Sequence, residues 1–281
     1  MSDSSDLVRV RMDLAYDGTG FSGWATQPGR RTVQQTVEQA WGLILRTPPP
    51  VLTVGGRTDA GVHARGSVAH LDVPADGWVA LPGLSSRQPH EAALRRLAGI
   101  LPDDIVVRSV RVAPGGFDAR FSALRRRYSY RLANHPERAD PIRRHDTVTL
   151  KQPVDVARMN QAAGTLLGLH DFAAFCRRRQ GASTTRTLLR FDFSQAPGGV
   201  VVGAIEADAF CHSMVRSLIG AVVPVGQGRR DLDWPQEILR AGTRDSGVTV
   251  MPARGLCLEE ILYPPDAGVA ARAEQTRARR D

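Results

Sequence analysis

The sequence predicts an α+β fold made of two related halves, each a sheet with helices packed against it. Three observations carry that expectation: strands that alternate with a two-residue period, helices with a 3.6-residue period, and a similar order of the two in each half of the 281 residues. A chain of this length can bury two modest cores. In the first half Val8, Val10, Met12 and Leu14 alternate with Arg9, Arg11 and Asp13, which is a half-buried strand. A glycine-rich turn follows at Asp17-Gly18-Thr19-Gly20. Thr32, with Gln35 placed to complete a capping box, opens a helix. Val33, Val37, Ala40, Trp41, Ile44 and Leu45 form its apolar face, and Pro48-Pro49-Pro50 ends it. Strands are expected over 51–54, 68–73 and 105–112, with a helix before the last that turns Leu94, Leu97, Ala98 and Leu101 inward.

Residues 113–118 read as a linker, which sets an N-terminal α/β domain at 7–112 and a second at 117–264. The second begins with a strand through Tyr128, Tyr130 and Leu132, then a helix with Val156, Met159, Ala163, Leu166 and Leu167 on its inner face. Strands near 188–193 and 200–207, helices over 211–225 and 234–241, and a strand over 256–262 complete it. Residues 265–281, rich in Ala, Arg and Glu, read as a mobile basic tail.

Composition narrows the function classes. Hydrophobic content of 42% and charged content of 23% suit a soluble globular protein, and no apolar run is long enough to cross a bilayer. The N-terminus lacks the pattern of a secretory signal, so a cytoplasmic location is expected. Cys176, Cys211 and Cys257 are far apart, and read as reduced thiols rather than a disulfide framework or a zinc site. The net charge of +8 points to a polyanionic partner. Lys151 is the only lysine, so the charge is nearly all arginine, whose planar fork suits phosphates and bases. Arginine bias of the genome would produce the same excess.

Three segments can carry chemistry. Gly55-Gly56-Arg57-Thr58-Asp59-Ala60-Gly61-Val62-His63-Ala64 lies between two strands, and its glycines let backbone approach a ligand while arginine and carboxylate are held side by side. A turn in which Asp59 only accepts nearby N–H groups would look the same. From Ala209 to Gly226, Arg216 is the only ionised residue in an apolar helix. A guanidinium there calls for an anion such as Asp59 or a phosphate, unless it reaches to solvent from the helix edge. Arg120 to Arg131 sets arginines beside Phe121, Tyr128 and Tyr130, as where phosphates are clamped and an unstacked base meets an aromatic face. A surface strand with buried tyrosines is the plainer alternative. The sequence contains no P-loop, no H-E-x-x-H, no Cys/His cluster for a metal and no G-x-S-x-G elbow, and His63, His70 and His212 read as structural.

Together these segments resemble the TruA family of tRNA pseudouridine synthases. The matching stretches are 16–24 (YDGTGFSGW), 32–34 (TVQ), 55–64 (GGRTDAGVHA), 117–123 (FDARFSA), 126–130 (RRYSY), 168–175 (GLHDFAAF), 212–220 (HSMVRSLIG) and 253–263 (ARGLCLEEILY), in order over nearly the whole chain. Ala25, Ser67 and Cys211 depart from the usual pattern. The resemblance implies two ferredoxin-like halves flanking a basic RNA-binding cleft, and a cofactor-free, metal-free isomerisation of uridines 38, 39 and 40. The partner it implies is the tRNA anticodon arm rather than DNA or a membrane, bound by a homodimer. It makes Asp59 the nucleophile, pairs Arg216 with it, stacks Tyr128 on the target base, and leaves Arg57 and Arg120 to bind substrate. A non-catalytic RNA-binding protein, or a nucleosidase or ribonuclease built on the same carboxylate, would share the charge and the Tyr128 strand.

Overall fold

Strand β1 (Leu7–Tyr16) follows the alternation in its sequence: Val10, Met12 and Leu14 are fully buried between partly exposed neighbours. The computed structural model describes residues 6–177 and 183–278. The chain divides into two units, one of residues 1–124 with 260–281 and the other of residues 125–259.

In the first unit β1 is followed by α1 (Val33–Leu45), β2 (Thr53–Val54), β3 (His63–Pro74), α2 (Ala75–Ala80), α3 (Pro89–Ile100) and β4 (Ile105–Val112). β1 pairs antiparallel with β3, Val10 opposite Leu71, and with β4, Met12 opposite Val110. β2 pairs β3 on its other side, Thr53 opposite His70, so the order is β4-β1-β3-β2. The second unit holds β5 (Arg125–Ala133), β6 (Val148–Thr149), α4 (Val156–Gly164), β7 (Gly168–Asp171), β8 (Thr185–Ala196), β9 (Val200–Ala207), α5 (Met214–Gly226) and α6 (Trp234–Ala241). The first residues of β10 (Leu256–Leu262) also belong to it. Its strands run in the order β10-β5-β9-β8-β7. Taking β1, α1, β2, β3, α3, β4 in one unit and β5, α4, β8, β9, α5, β10 in the other, each is strand–helix–strand–strand–helix–strand in spatial order 4-1-3-2. Both are ferredoxin-like α+β units.

Several local expectations are corrected. The units part between Leu124 and Arg125 rather than at 113–118, because Phe117, Ala119, Ser122 and Ala123 are buried in the first core and Leu124 donates its N–H to Leu262. Residues 265–281 do not form a loose tail over their described length. They contain α7 (Val269–Ala278), whose Val269 and Ala273 are buried and whose Arg277 meets Asp118 at 2.9 Å. The period is hidden because only two of the ten helix residues face inward. Thr32 makes no side-chain cap on α1, and its hydroxyl is buried without a partner; a capping box forms instead on α3, where Glu91 accepts the N–H of Gln88 at 2.9 Å. On α3 the inward residues are Ala92, Ala93 and Leu97, while Ala98 is exposed. α4 stops at Gly164, leaving Leu167 exposed. α2 and β7 have no counterpart among the expected elements, being too short to show a period. Cys176 and Cys211, read as thiols far apart, are brought side by side, with Cα atoms 5.8 Å apart. Their separation of 35 residues announces no pairing, and only folding brings them together. Cys257 is buried and stands apart from these two.

His70, on β3, is structural as expected. Its Nδ1 accepts the N–H of Ala119 at 3.0 Å, which ties the sheet to the 117–122 segment. Burial, with Arg9 nearby, lowers its pKa below the ordinary histidine value. A base whose folded pKa is lowered binds fewer protons folded than unfolded, so stability is full above about 6.5 and declines as pH falls below it. The urea midpoint is therefore expected to drop between about pH 7.5 and 5.5. His70→Asn keeps an acceptor without a titrating ring and should reduce that drop; an unchanged drop would assign it to other groups.

Candidate active site

The loop between β2 and β3 owes its course to glycines and to the segment at 16–24. A Cβ on Gly18 would stand 2.0 Å from the carbonyl oxygen of Val62, so only glycine allows that approach. Gly23, at φ +95°, lies against the backbone of Thr58 and Ala60, and Trp24 donates its N–H to the Thr58 carbonyl at 3.0 Å. Gly55 is packed as tightly: a Cβ there would meet the Tyr263 hydroxyl at 2.5 Å and the Ala119 carbonyl at 2.7 Å. Within this frame Thr58 is buried, its hydroxyl 2.8 Å from that of Tyr16. His63 accepts the N–H of Gly18 at 3.1 Å, which bears out its structural reading. Asp59 follows Thr58, half-buried, and its own carbonyl accepts the N–H of Val62 at 3.1 Å. Gly61, at φ +77°, makes the turn back toward β3. Arg57 is exposed on the same loop. Neighbours on both sides of Asp59 are thus anchored while the residue itself keeps access to solvent.

Arg120 belongs to the same unit. It is exposed, its N–H is accepted by Asp118 at 2.8 Å, and its guanidinium lies 5.2 Å from the Phe121 ring centroid.

The second unit carries the other two residues singled out in the sequence. Tyr128 sits on β5 opposite Ile205 and is 7% exposed, so only a small part of the ring meets solvent. Phe210 stands edge-on to it, ring centroids 5.2 Å apart at 88°. Phe210 was not anticipated; the only signal is an aromatic residue just past the end of an alternating strand. Arg216 is the third residue of α5 and is half-buried, rather than enclosed like the helix residues after it. Its Nε donates to the Met251 carbonyl at 2.6 Å, and the Met251 N–H returns to the Arg216 carbonyl at 3.2 Å. Tyr130 holds the adjoining turn by donating to the Pro252 carbonyl at 2.7 Å, and burial pushes its phenol pKa well up, so it remains a donor. Gly255 is packed on the Tyr130 ring, where a Cβ would fall at 2.7 Å. The 251–255 segment, invisible as a partner in the sequence, therefore orients Arg216.

The structure thus groups Arg57, Asp59 and Arg120 in one unit and Tyr128 and Arg216 in the other. Among the described residues no three His, Cys, Asp or Glu side chains are gathered as for a metal ion, and no helix is long and apolar enough to cross a membrane.

Comparison with known proteins agrees with this arrangement of motifs. Residues 162–264 match the family model described as tRNA pseudouridine synthase. The chain is 56% identical to the tRNA pseudouridine synthase A of Frankia casuarinae, over 97% of this chain and 95% of the relative. It is 50% identical to that of Streptomyces griseus, over 99% of this chain and 96% of the relative. With the protein of the same name from Mycobacterium leprae the identity is 47%, over 97% and 96% of the two chains. At such identity over nearly the full length of both partners, the chain belongs to the tRNA pseudouridine synthase A family and is an isomerase.

Proposed function

We propose that the protein converts uridines 38, 39 and 40 of the tRNA anticodon arm to pseudouridine, with Asp59 as nucleophile, without a cofactor, acting as a cytoplasmic homodimer. The observation that carries this reading is the loop at 55–62: it is fixed by Gly18, Gly23 and Gly55, and it holds Asp59 half-buried two residues from the exposed Arg57. A rigid backbone under a half-buried carboxylate is more than a turn requires, and it suits a nucleophile that must be held in one place.

The chemistry asks little else. The bond from the ribose C1′ to uracil N1 breaks and one from C1′ to C5 forms. The C5 proton leaves, N1 gains one, and mass and chain length do not change. No electrons are gained or lost. An ionised carboxylate starts the reaction at the sugar, and a guanidinium beside it favours that ionised form. In this reading Arg216, oriented by the Met251 carbonyl, is the partner of Asp59. Tyr128, steadied by Phe210, offers an aromatic face on which detached uracil turns without escaping. Extracting the target from its stack costs about a few kcal/mol. Arg57 and Arg120, both exposed, offset part of that cost by binding phosphates at a distance from the reacting bond.

The test is release of tritium from tRNA transcribed with 5-tritiated uridine. Release with intact RNA, lost when positions 38–40 carry cytidine, is the expected result. Abasic sites or cut strands would instead identify a nucleosidase or a ribonuclease, and tight tRNA binding without release would leave an RNA-binding protein.

A further inference from the structure

We infer that Arg277, on the C-terminal helix α7, is a positioning residue that holds the 117–122 turn so that Arg120 meets the RNA substrate. This rests on the reading of Arg120 as an RNA contact and goes beyond it, because α7 was expected to be a loose tail.

The turn is organised around Asp118, which is 7% exposed. Its Oδ1 accepts the N–H groups of Arg120 at 2.8 Å and Phe121 at 2.9 Å, while Oδ2 accepts from Arg277 at 2.9 Å. Burial pushes this carboxyl's pKa up, but the Phe121 and Arg120 N–H groups, His70 and Arg277 together outweigh it and hold the pKa below the usual value. Backbone N–H groups supply hydrogen bonds without net charge. The Arg277 guanidinium supplies the opposite charge in direct contact.

The same guanidinium lies 5.1 Å from the Phe121 ring centroid, and that of Arg120 lies 5.2 Å from it. One aromatic ring therefore takes both cations, and the side chain to be aimed at phosphate rests on the ring that Arg277 steadies. The other end of α7 is fastened too. The Ser122 hydroxyl accepts the Asp118 N–H at 3.0 Å and donates to the Val269 carbonyl at 2.9 Å. Gly116, at φ +73°, approaches Ala270 so closely that a Cβ would fall 2.5 Å from the Ala270 methyl. Val269 and Arg277 stand about 12 Å apart along the helix, so α7 grips the turn at two separate points. A ten-residue helix is marginal by itself; these contacts keep it in place, and in return it fixes the turn.

The test uses the full chain with Arg120→Ala, Arg277→Ala, Arg277→Lys and the double alanine variant. It measures Kd for tRNA, kcat and KM for pseudouridine formation, and thermal stability. Arg277→Ala is expected to raise Kd and KM about tenfold, the size of one charge-assisted contact, with kcat changed less than about twofold. Arg277→Lys should recover most of that loss. The double variant should bind no worse than Arg120→Ala alone, because the two residues act as one unit. Losses that multiply in the double variant, or lowered thermal stability with Kd unchanged, would overturn the inference. So would an Arg120→Ala variant that binds tRNA normally. If Arg277→Ala does not fold, Arg277→Gln takes its place under the same criteria. Because Kd is read apart from turnover, a protein that binds as described but makes no pseudouridine would refute the proposed reaction and leave this inference standing.

Discussion

Asp59→Ala is expected to reduce pseudouridine formation by on the order of 10⁴-fold or more, as removal of a nucleophile does, while Kd for tRNA changes less than about threefold. The backbone of the loop is held largely by other groups. Thr58 and Gly61 bond through their own peptide groups, and Gly18 and Gly23 abut main-chain atoms. The fold should therefore survive the change, with a melting temperature lowered by at most a few degrees, and the main defect should lie in turnover. Single-turnover release of tritium, with binding measured in parallel, provides the check. Retention of even a tenth of wild-type turnover would remove Asp59 from the nucleophile's place and favour a role in holding the loop.

Arg216→Ala should cost turnover on the order of 10²- to 10³-fold, the range for a group that stabilises a reacting charge. Its effect on tRNA affinity should be much smaller. The structure adds a second consequence. The Met251 carbonyl loses the donor now 2.6 Å away, so the 251–255 turn should loosen and the melting temperature should fall by a few degrees. Arg216→Lys separates the two effects. A lysine carries charge but no Nε placed for Met251, so it should restore more of the turnover than of the stability. Equal losses of turnover and affinity in Arg216→Ala would argue that the guanidinium holds RNA phosphate rather than the nucleophile.

Part of the site is legible in the order of residues alone because its signals are local. The glycines around Asp59 lie within a few residues of it, and a lone cation in an apolar run stands out wherever the helix packs. The framing of that loop is less legible. Gly18 and Gly23 serve a loop some forty residues away, and Tyr263 contributes from the far end of the chain. Phe210 gives little signal and Met251 none, the first because one aromatic after a strand is unremarkable, the second because a backbone carbonyl has no sequence signature. The meeting of Cys176 and Cys211 is hidden for a related reason: proximity is set by where two segments end up, not by their spacing.

The sequence by itself determined the class of fold and the period of elements such as β1 and α1, and it singled out Asp59, Tyr128 and Arg216 as candidates. Those depend on the repeat of apolar residues and on residue chemistry, both written in the order of the chain. The tertiary structure decided where one unit ends, what orients Arg216 and Tyr128, and what the last residues do. The boundary lies at Leu124 because Phe117 and Ala119 are buried in the first core, although the glycines and proline before them read as a break. The C-terminal segment is a docked helix because Val269 and Ala273 are buried, Ser122 bonds the Val269 carbonyl and Arg277 meets Asp118. Such contacts arise only when distant parts of the chain come together, where burial of apolar surface and pairing of a little-exposed carboxylate gain more than they do along an extended chain in water.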